Sequence, residues 1–308
     1  MSRPLQAIWP WDGHESSGTI PPDMKTLRAL SVSERLAVLA GIAAAIASLA
    51  GFVPGVYRDP KVVIAQSHGF DIGNLVAVVI LGLGLTSAVR GSVRGRLVAI
   101  GALGYLLYSF VTYAFLIELN AATVLYIAVL SFGVWSFITG LAAVDDQEVD
   151  ELSAGHLYRR FTASFMIVIA ALFALTWLRE IAGSVVSGQL PAALAAAGWP
   201  MNPVYVLDLG FVVPIVLVGG SQLIRSKPGG VRLALPFLVF LPLLSISVLL
   251  MTMFMAIDGQ PLVLPLIAVF VVALTVSAAL AWVALRTHGS PGQRRSELDE
   301  LRTTSISA

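Results

Sequence analysis

The chain has 308 residues, of which 57% are hydrophobic and only 12% charged, and its mean hydropathy is +0.86. A soluble domain carries about 25% charged residues, so this chain has too little polar surface to face water all round. No region is basic enough for nucleic-acid binding at a formal charge of +1, and the absence of cysteine removes disulfides, thiolate metal sites and cysteine nucleophiles.

Residues 1–34 are polar and irregular, with Trp9-Pro10-Trp11 and Pro21-Pro22. They are too long and too acidic for the n-region of a signal peptide and read as a cytoplasmic tail, its tryptophans suited to the lipid headgroups. Ser31-Val32-Ser33-Glu34 has the capping-box pattern that opens a helix. Apolar segments follow at 36–57, 72–89, 97–117, 122–143, 161–182, 203–224, 233–256 and 262–285. About 20 apolar residues span a bilayer core as a helix. In hydrocarbon each segment must be helical, because every backbone polar group needs an internal partner. The expected fold is an all-α polytopic bundle of eight spanning helices.

Orientation follows from Lys and Arg. On the even-helix reading, Arg58, Lys61 and Arg179 lie on one side and the other sixteen of the 19 on the opposite side. The positive-inside rule then puts both termini in the cytoplasm of a plasma-membrane protein. The acidic stretch Asp145-Asp146-Gln147-Glu148-Val149-Asp150-Glu151, within a linker at 144–160, reads as a solvated connector; its spacing is not that of a calcium loop. Residues 287–308 form a short polar tail.

The two halves rhyme. Asp71 opens the second segment and Asp208 stands near the start of the sixth. Asp71 precedes the Arg96-Leu97 pair by about as many residues as Asp208 precedes Arg232-Leu233. Four helices separate equivalent positions, so the expectation is two parallel four-helix repeats, 35–143 and 161–286, related by an axis along the membrane normal. Chance similarity among apolar segments is the competing reading.

The run from Gly104 to Phe115, with Asn120 and Leu125-Tyr126, resembles a family of uncharacterised prokaryotic multi-spanning membrane proteins. The Asp71 start of the second segment, the Arg90-Gly91-Ser92-Val93-Arg94-Gly95 turn and Leu207-Asp208-Leu209-Gly210 with Pro214 are similar to the same family. The resemblance implies a fold of about eight spanning helices and no particular activity.

Few residues carry candidate chemistry. Asp208 is a carboxylate inside a spanning segment, a functional-site hypothesis by default; its structural alternative is a headgroup position or a pair with Arg179. Gly210 and Pro214 mark a kink, since proline cannot donate to the carbonyl four residues back. Tyr105, Tyr108, Ser109 and Thr112 are spaced to share one helix face, either lining a pocket or bonding between helices. Gly41, Ala45, Ser48 and Gly51 form a small-residue stripe for close packing. Glu118, Asn120, Arg179, Tyr205 and Asp208, with Asp71, all fall toward the outer ends of helices, where they are expected to converge on an outward-facing polar pocket or simply to mark the interface. The four histidines are placed in tails or loops, so no intramembrane haem or zinc site is expected. No cofactor is expected, and the expected partners are the lipid bilayer and a small solute or ion. A permease, a non-transporting scaffold or accessory subunit and, with least support, a lipid-acting enzyme remain as functions.

Overall fold

The computed structural model describes residues 30–150 and 155–286; the expectations for the two tails and for residues 151–154 of the linker lie outside them. Among the described residues there is no strand. Eight helices are long and apolar enough to cross a membrane: α1 (Val32–Gly51), α2 (Lys61–Val89), α3 (Val93–Leu116), α4 (Thr123–Ala142), α5 (His156–Ser187), α6 (Pro203–Ile224), α7 (Pro228–Ile257) and α8 (Leu264–Arg286).

The start of α1 shows why its residues form a helix there. The Ser31 side chain accepts from the Glu34 N–H while the Glu34 carboxylate accepts from the Ser31 N–H at 2.7 Å, so two free donors are satisfied reciprocally. Leu39, Ile42, Ile46 and Leu49 of α1 are 45–58% exposed, whereas Ala37, Ala40, Ala44 and Ala47 are buried on the face that packs along α4. A protein in water buries its leucines and exposes smaller or polar residues. The reverse pattern requires an apolar solvent, which is the bilayer.

Helices α3 and α7 form the centre, each with 67% of its spanning window buried against 39% or less for the other six. They pack on each other; α2 and α4 flank α3, and α6 and α8 flank α7. Helix α2 also packs along α7. There a Cβ on Gly69 would overlap the Met251 backbone, and one on Gly73 would overlap Ser247. The same close approach lets the Tyr105 hydroxyl of α3 reach Ser247 Oγ at 2.5 Å.

Two expectations are corrected. Helix α2 begins at Lys61, so Asp71 does not open it but lies ten residues inside, and His68 is helical rather than in a loop, stacked on Phe52 at 5.0 Å between centroids. Ser67, Asp71 and Asn74 are all buried in the bundle, which is why the polar letters here do not mark the end of a span. Helix α5 continues to Ser187, so Arg179 is two turns inside its end. At 1.5 Å per residue α5 is about 48 Å long, well beyond the roughly 30 Å hydrocarbon core.

The acidic linker is also more than a solvated connector. Its first part coils into a short helix, Asp146–Asp150, that docks against the arginine-rich end of the bundle. Val149 is fully buried with Leu97, Ile100 and Leu235. Arg96 pairs with Glu148 at 3.5 Å, and Arg232 pairs with Asp146. Exposed ion pairs contribute about 1 kcal/mol or less each, so the buried valine is the stronger anchor. Val149→Asp is accordingly expected to destabilise the detergent-solubilised protein by about 2 kcal/mol or more, and Arg232→Ala by less than about 1 kcal/mol. Equal melting shifts for the two variants would contradict the docking.

Helix α1 packs along the length of α4, whereas α5 and α8 make few contacts: the Tyr158 hydroxyl donates to the Leu280 carbonyl at 2.7 Å toward the arginine-rich end, and the Phe173 and Phe270 rings lie 6.0 Å from each other.

Candidate functional site

A cavity of about 470 Å³ occupies the space that α5 and α8 leave open. It is bounded by α2, α3, α5, α6, α7 and α8 in the arginine-poor half of the bundle. At the arginine-poor end it is lined by the segment between α5 and α6. That segment contains a single helical turn and a half, Ala192–Ala197, set between Gly188 and Gly198, both in the left-handed backbone region with φ of 67° and 70°. Glycine takes that conformation without a Cβ clash, so the chain reverses twice. Leu194 and Trp199 then hang over the cavity.

Asp208 lies in the wall and is only 3% exposed. The Trp177 indole N–H donates to its Oδ2 at 2.6 Å, and the Tyr108 hydroxyl faces the same carboxylate. The helix carrying it is not regular. Residues Asp208–Val212 form a π turn, in which the Val213 N–H bonds the Asp208 carbonyl five residues back. Pro214 supplies the cause: it has no N–H, and its ring crowds the carbonyl four residues earlier. The expected kink at Gly210 and Pro214 is therefore a widened turn, and Asp208 stands at its first residue. Single π turns inside α-helices are frequent at functional sites.

The structure sorts the remaining candidates. The helix-3 polar face divides between both of its expected roles. Tyr108 and Thr112 line the cavity, while Tyr105 bonds Ser247 on α7 and Ser109 is fully buried. Tyr205 packs its ring on Trp177, with centroids 5.4 Å apart, and so backs the Asp208 partner rather than orienting Asp208 itself. Arg179 is exposed and does not line the cavity. It stands two residues from Trp177, about 200° around the helix, and so faces away. Glu118 and Asn120 build the turn between α3 and α4. There the Glu118 N–H donates to Asp59 at 3.0 Å, and the Asn120 side chain spans Glu118 and Ala122. The convergence expected of these residues is thus corrected: shared depth in the membrane places them at one level but on different faces.

Asp71 has a separate enclosure. It is fully buried, accepting from the Tyr57 hydroxyl at 2.9 Å and the Tyr113 hydroxyl at 3.0 Å. A Cβ on Gly51 would overlap both Asp71 and Tyr57, so that glycine makes the room. Burial, with the Asp71 carboxylate beside it, pushes the phenol of Tyr57 in the α1–α2 turn well up, and it stays a donor across the physiological range. The single Tyr113 hydroxyl hydrogen is shared between Asp71 and the Ser67 carbonyl, 2.9 Å away, and the same side chain lines the cavity. One side chain therefore separates Asp71 from the space that Asp208 faces.

Trp177 is the functional residue that the sequence reading passed over. Its available signal was a tryptophan inside a spanning segment, since a buried indole N–H needs an acceptor and acidic acceptors are few.

These features define an integral membrane protein, an all-helical bundle with eight candidate spans and a carboxylate-bearing cavity between its halves. No protein-family model, no curated protein and no solved structure matches the chain.

Proposed function

We propose that the protein is a permease for a small solute that occupies the cavity beside Asp208, in a plasma membrane with both termini and the arginine-rich end in the cytoplasm. The observation that carries this reading is the placement of Asp208. A carboxylate within a span is costly to leave in lipid, and here it borders a space of about 470 Å³, within the roughly 300–1,000 Å³ of ligand pockets. A scaffold or accessory subunit, the alternative, has no use for such a space, and packing side chains into it would stabilise the bundle.

The architecture supplies a way to expose the site alternately. The matching places of Asp71 and Asp208, and of Arg96 and Arg232, support a parallel duplication with α3 and α7 as equivalent central helices. In transporters built from repeats, access alternates by rocking one unit against the other about a site at their interface. The α2–α7 contact, where Gly69 and Gly73 bring the two helices close, is the natural pivot. The family resemblance of the spanning region is compatible with this reading and adds no substrate.

The chain contains no cysteine, so single cysteines test access directly. Thr176→Cys puts a thiol on the cavity wall. In proteoliposomes of known orientation, a membrane-impermeant maleimide is expected to label it from either side, more slowly from the arginine-rich one. Labelling from one side only, or from neither, overturns the permease reading.

A further inference from the structure

The cavity also defines the charge and shape of what it takes, an inference that rests on the permease reading above. Among the described residues that line it, Asp208 is the only one with a formal charge, and no lysine, arginine or histidine reaches it. The partners of Asp208 are neutral donors, the Trp177 indole and the Tyr108 hydroxyl. Neutral hydrogen bonds orient a carboxylate without balancing its charge, and a buried charge is stable only when paired. An occupant that carries a positive charge supplies that balance, and without one the carboxylate becomes neutral by taking up a proton.

The rest of the wall describes the remainder of that occupant. Phe70, Tyr108, Tyr113, Phe173, Trp177, Trp199 and Phe270 contribute seven aromatic rings, and most other lining residues are aliphatic. Ring faces carry negative quadrupole charge and attract cations, most strongly when both are desolvated. A carboxylate set among aromatic rings suits a diffuse, poorly hydrated cation better than a metal ion, because the wall has a single carboxylate and the described residues hold no cluster of three acidic or histidine ligands. At the level of the cavity the Phe173 and Phe270 rings stand between α5 and α8, and the loose packing of these helices gives a route for an apolar body from the bilayer.

We propose that the cavity binds an amphipathic organic cation: one ammonium-like charge held by Asp208 and the rings of Trp177 and Tyr108, on an apolar body of drug-like size lying toward α5 and α8. The same cage disfavours anions of identical shape, since nothing in it offers a positive charge.

Tetraphenylphosphonium and tetraphenylborate share a shape and differ in sign, so they separate charge from hydrophobicity. With the purified protein in detergent, the cation is expected to bind at least 30-fold more tightly than the borate. Asp208→Asn is expected to weaken cation binding at least tenfold while leaving the borate unchanged. Thr112→Phe, which fills the cavity without touching Asp208, is expected to remove cation binding and serves as the second variant should Asp208→Asn not fold. Equal binding of the two ions, tighter binding of the borate, or cation binding unaffected by the variant that folds overturns the proposal. Two-sided labelling of Thr176→Cys combined with no cation binding rejects the cation and leaves the permease. One-sided labelling with selective cation binding rejects transport and leaves a receptor for the same ligand.

Discussion

Gly69→Leu is expected to prevent the native bundle from forming. A Cβ at this position would overlap the backbone nitrogen and Cα of Met251 on α7. Side chains can rotate away from an intruding methyl group, but a helix backbone cannot. The substitution must therefore separate α2 from α7, one of the main contacts between the first four helices and the last four. Overpacking within a core costs typically about 1–3 kcal/mol, and more where backbone has to move. Against a total stability of about 5–15 kcal/mol, a loss above roughly 3 kcal/mol leaves little folded protein in detergent. Size-exclusion profiles and melting of the solubilised protein measure this. Gly82→Leu in the same helix provides the control, because nothing lies within 4 Å of a Cβ there, and it is expected to behave as wild type. A Gly69→Leu protein with wild-type melting would refute the α2–α7 interface.

The second large effect concerns Asp71. Tyr57→Phe and Tyr113→Phe together are expected to destabilise the protein by about 3 kcal/mol or more. Each removes a hydrogen bond to a carboxylate, worth about 1.5–3 kcal/mol. Together they strip Asp71 of both tyrosine donors in a place water does not reach. The decisive measurement is a double-mutant cycle with Asp71→Leu. In that background no charge remains to be solvated, and the two Tyr→Phe substitutions are expected to cost about 1 kcal/mol or less. If they cost the same with and without Asp71, the hydroxyls act through other partners, such as the Ser67 carbonyl beside Tyr113. The rings of Tyr57, Tyr113 and Tyr126 pack together, with Tyr113 and Tyr126 at 5.4 Å, and phenylalanine keeps that packing, so the cycle isolates the hydrogen bonds to Asp71.

The two acids thus show how far the residues themselves could be read. Both stood out as carboxylates in apolar surroundings, and their matched spacing made them look alike. Their environments are not alike. Asp71 meets two tyrosines from a turn and from α3 and has no space beside it, whereas Asp208 meets one tryptophan from α5 and one tyrosine from α3 and borders a cavity. Neither set of partners is near in sequence: 14 and 42 residues separate Asp71 from its tyrosines, and 31 separate Asp208 from Trp177. Periodicity reports what is on one face of one helix and is silent about the helix opposite. The same limit explains the expected pairing of Asp208 with Arg179, where depth was right and helical phase decided otherwise.

What the sequence determined by itself was the solvent and everything that follows from it. Runs of about 20 apolar residues have one stable backbone in hydrocarbon, so eight helices, the absence of strands among the described residues, and the capped start at Ser31 and Glu34 were legible from local chemistry. Element ends were less so where buried polar residues such as Ser67 and Asp71 interrupt the apolar letters of α2. Tertiary structure alone decided which helices touch, and with that the cavity. Lipid is as apolar as leucine, so hydropathy does not distinguish a lipid-facing side from a packed one. Close packing, by contrast, depends on where glycines such as Gly69 and Gly73 meet a particular neighbour. The opening between α5 and α8, where α1 lies against α4 among the first four helices, is likewise a matter of which helices touch.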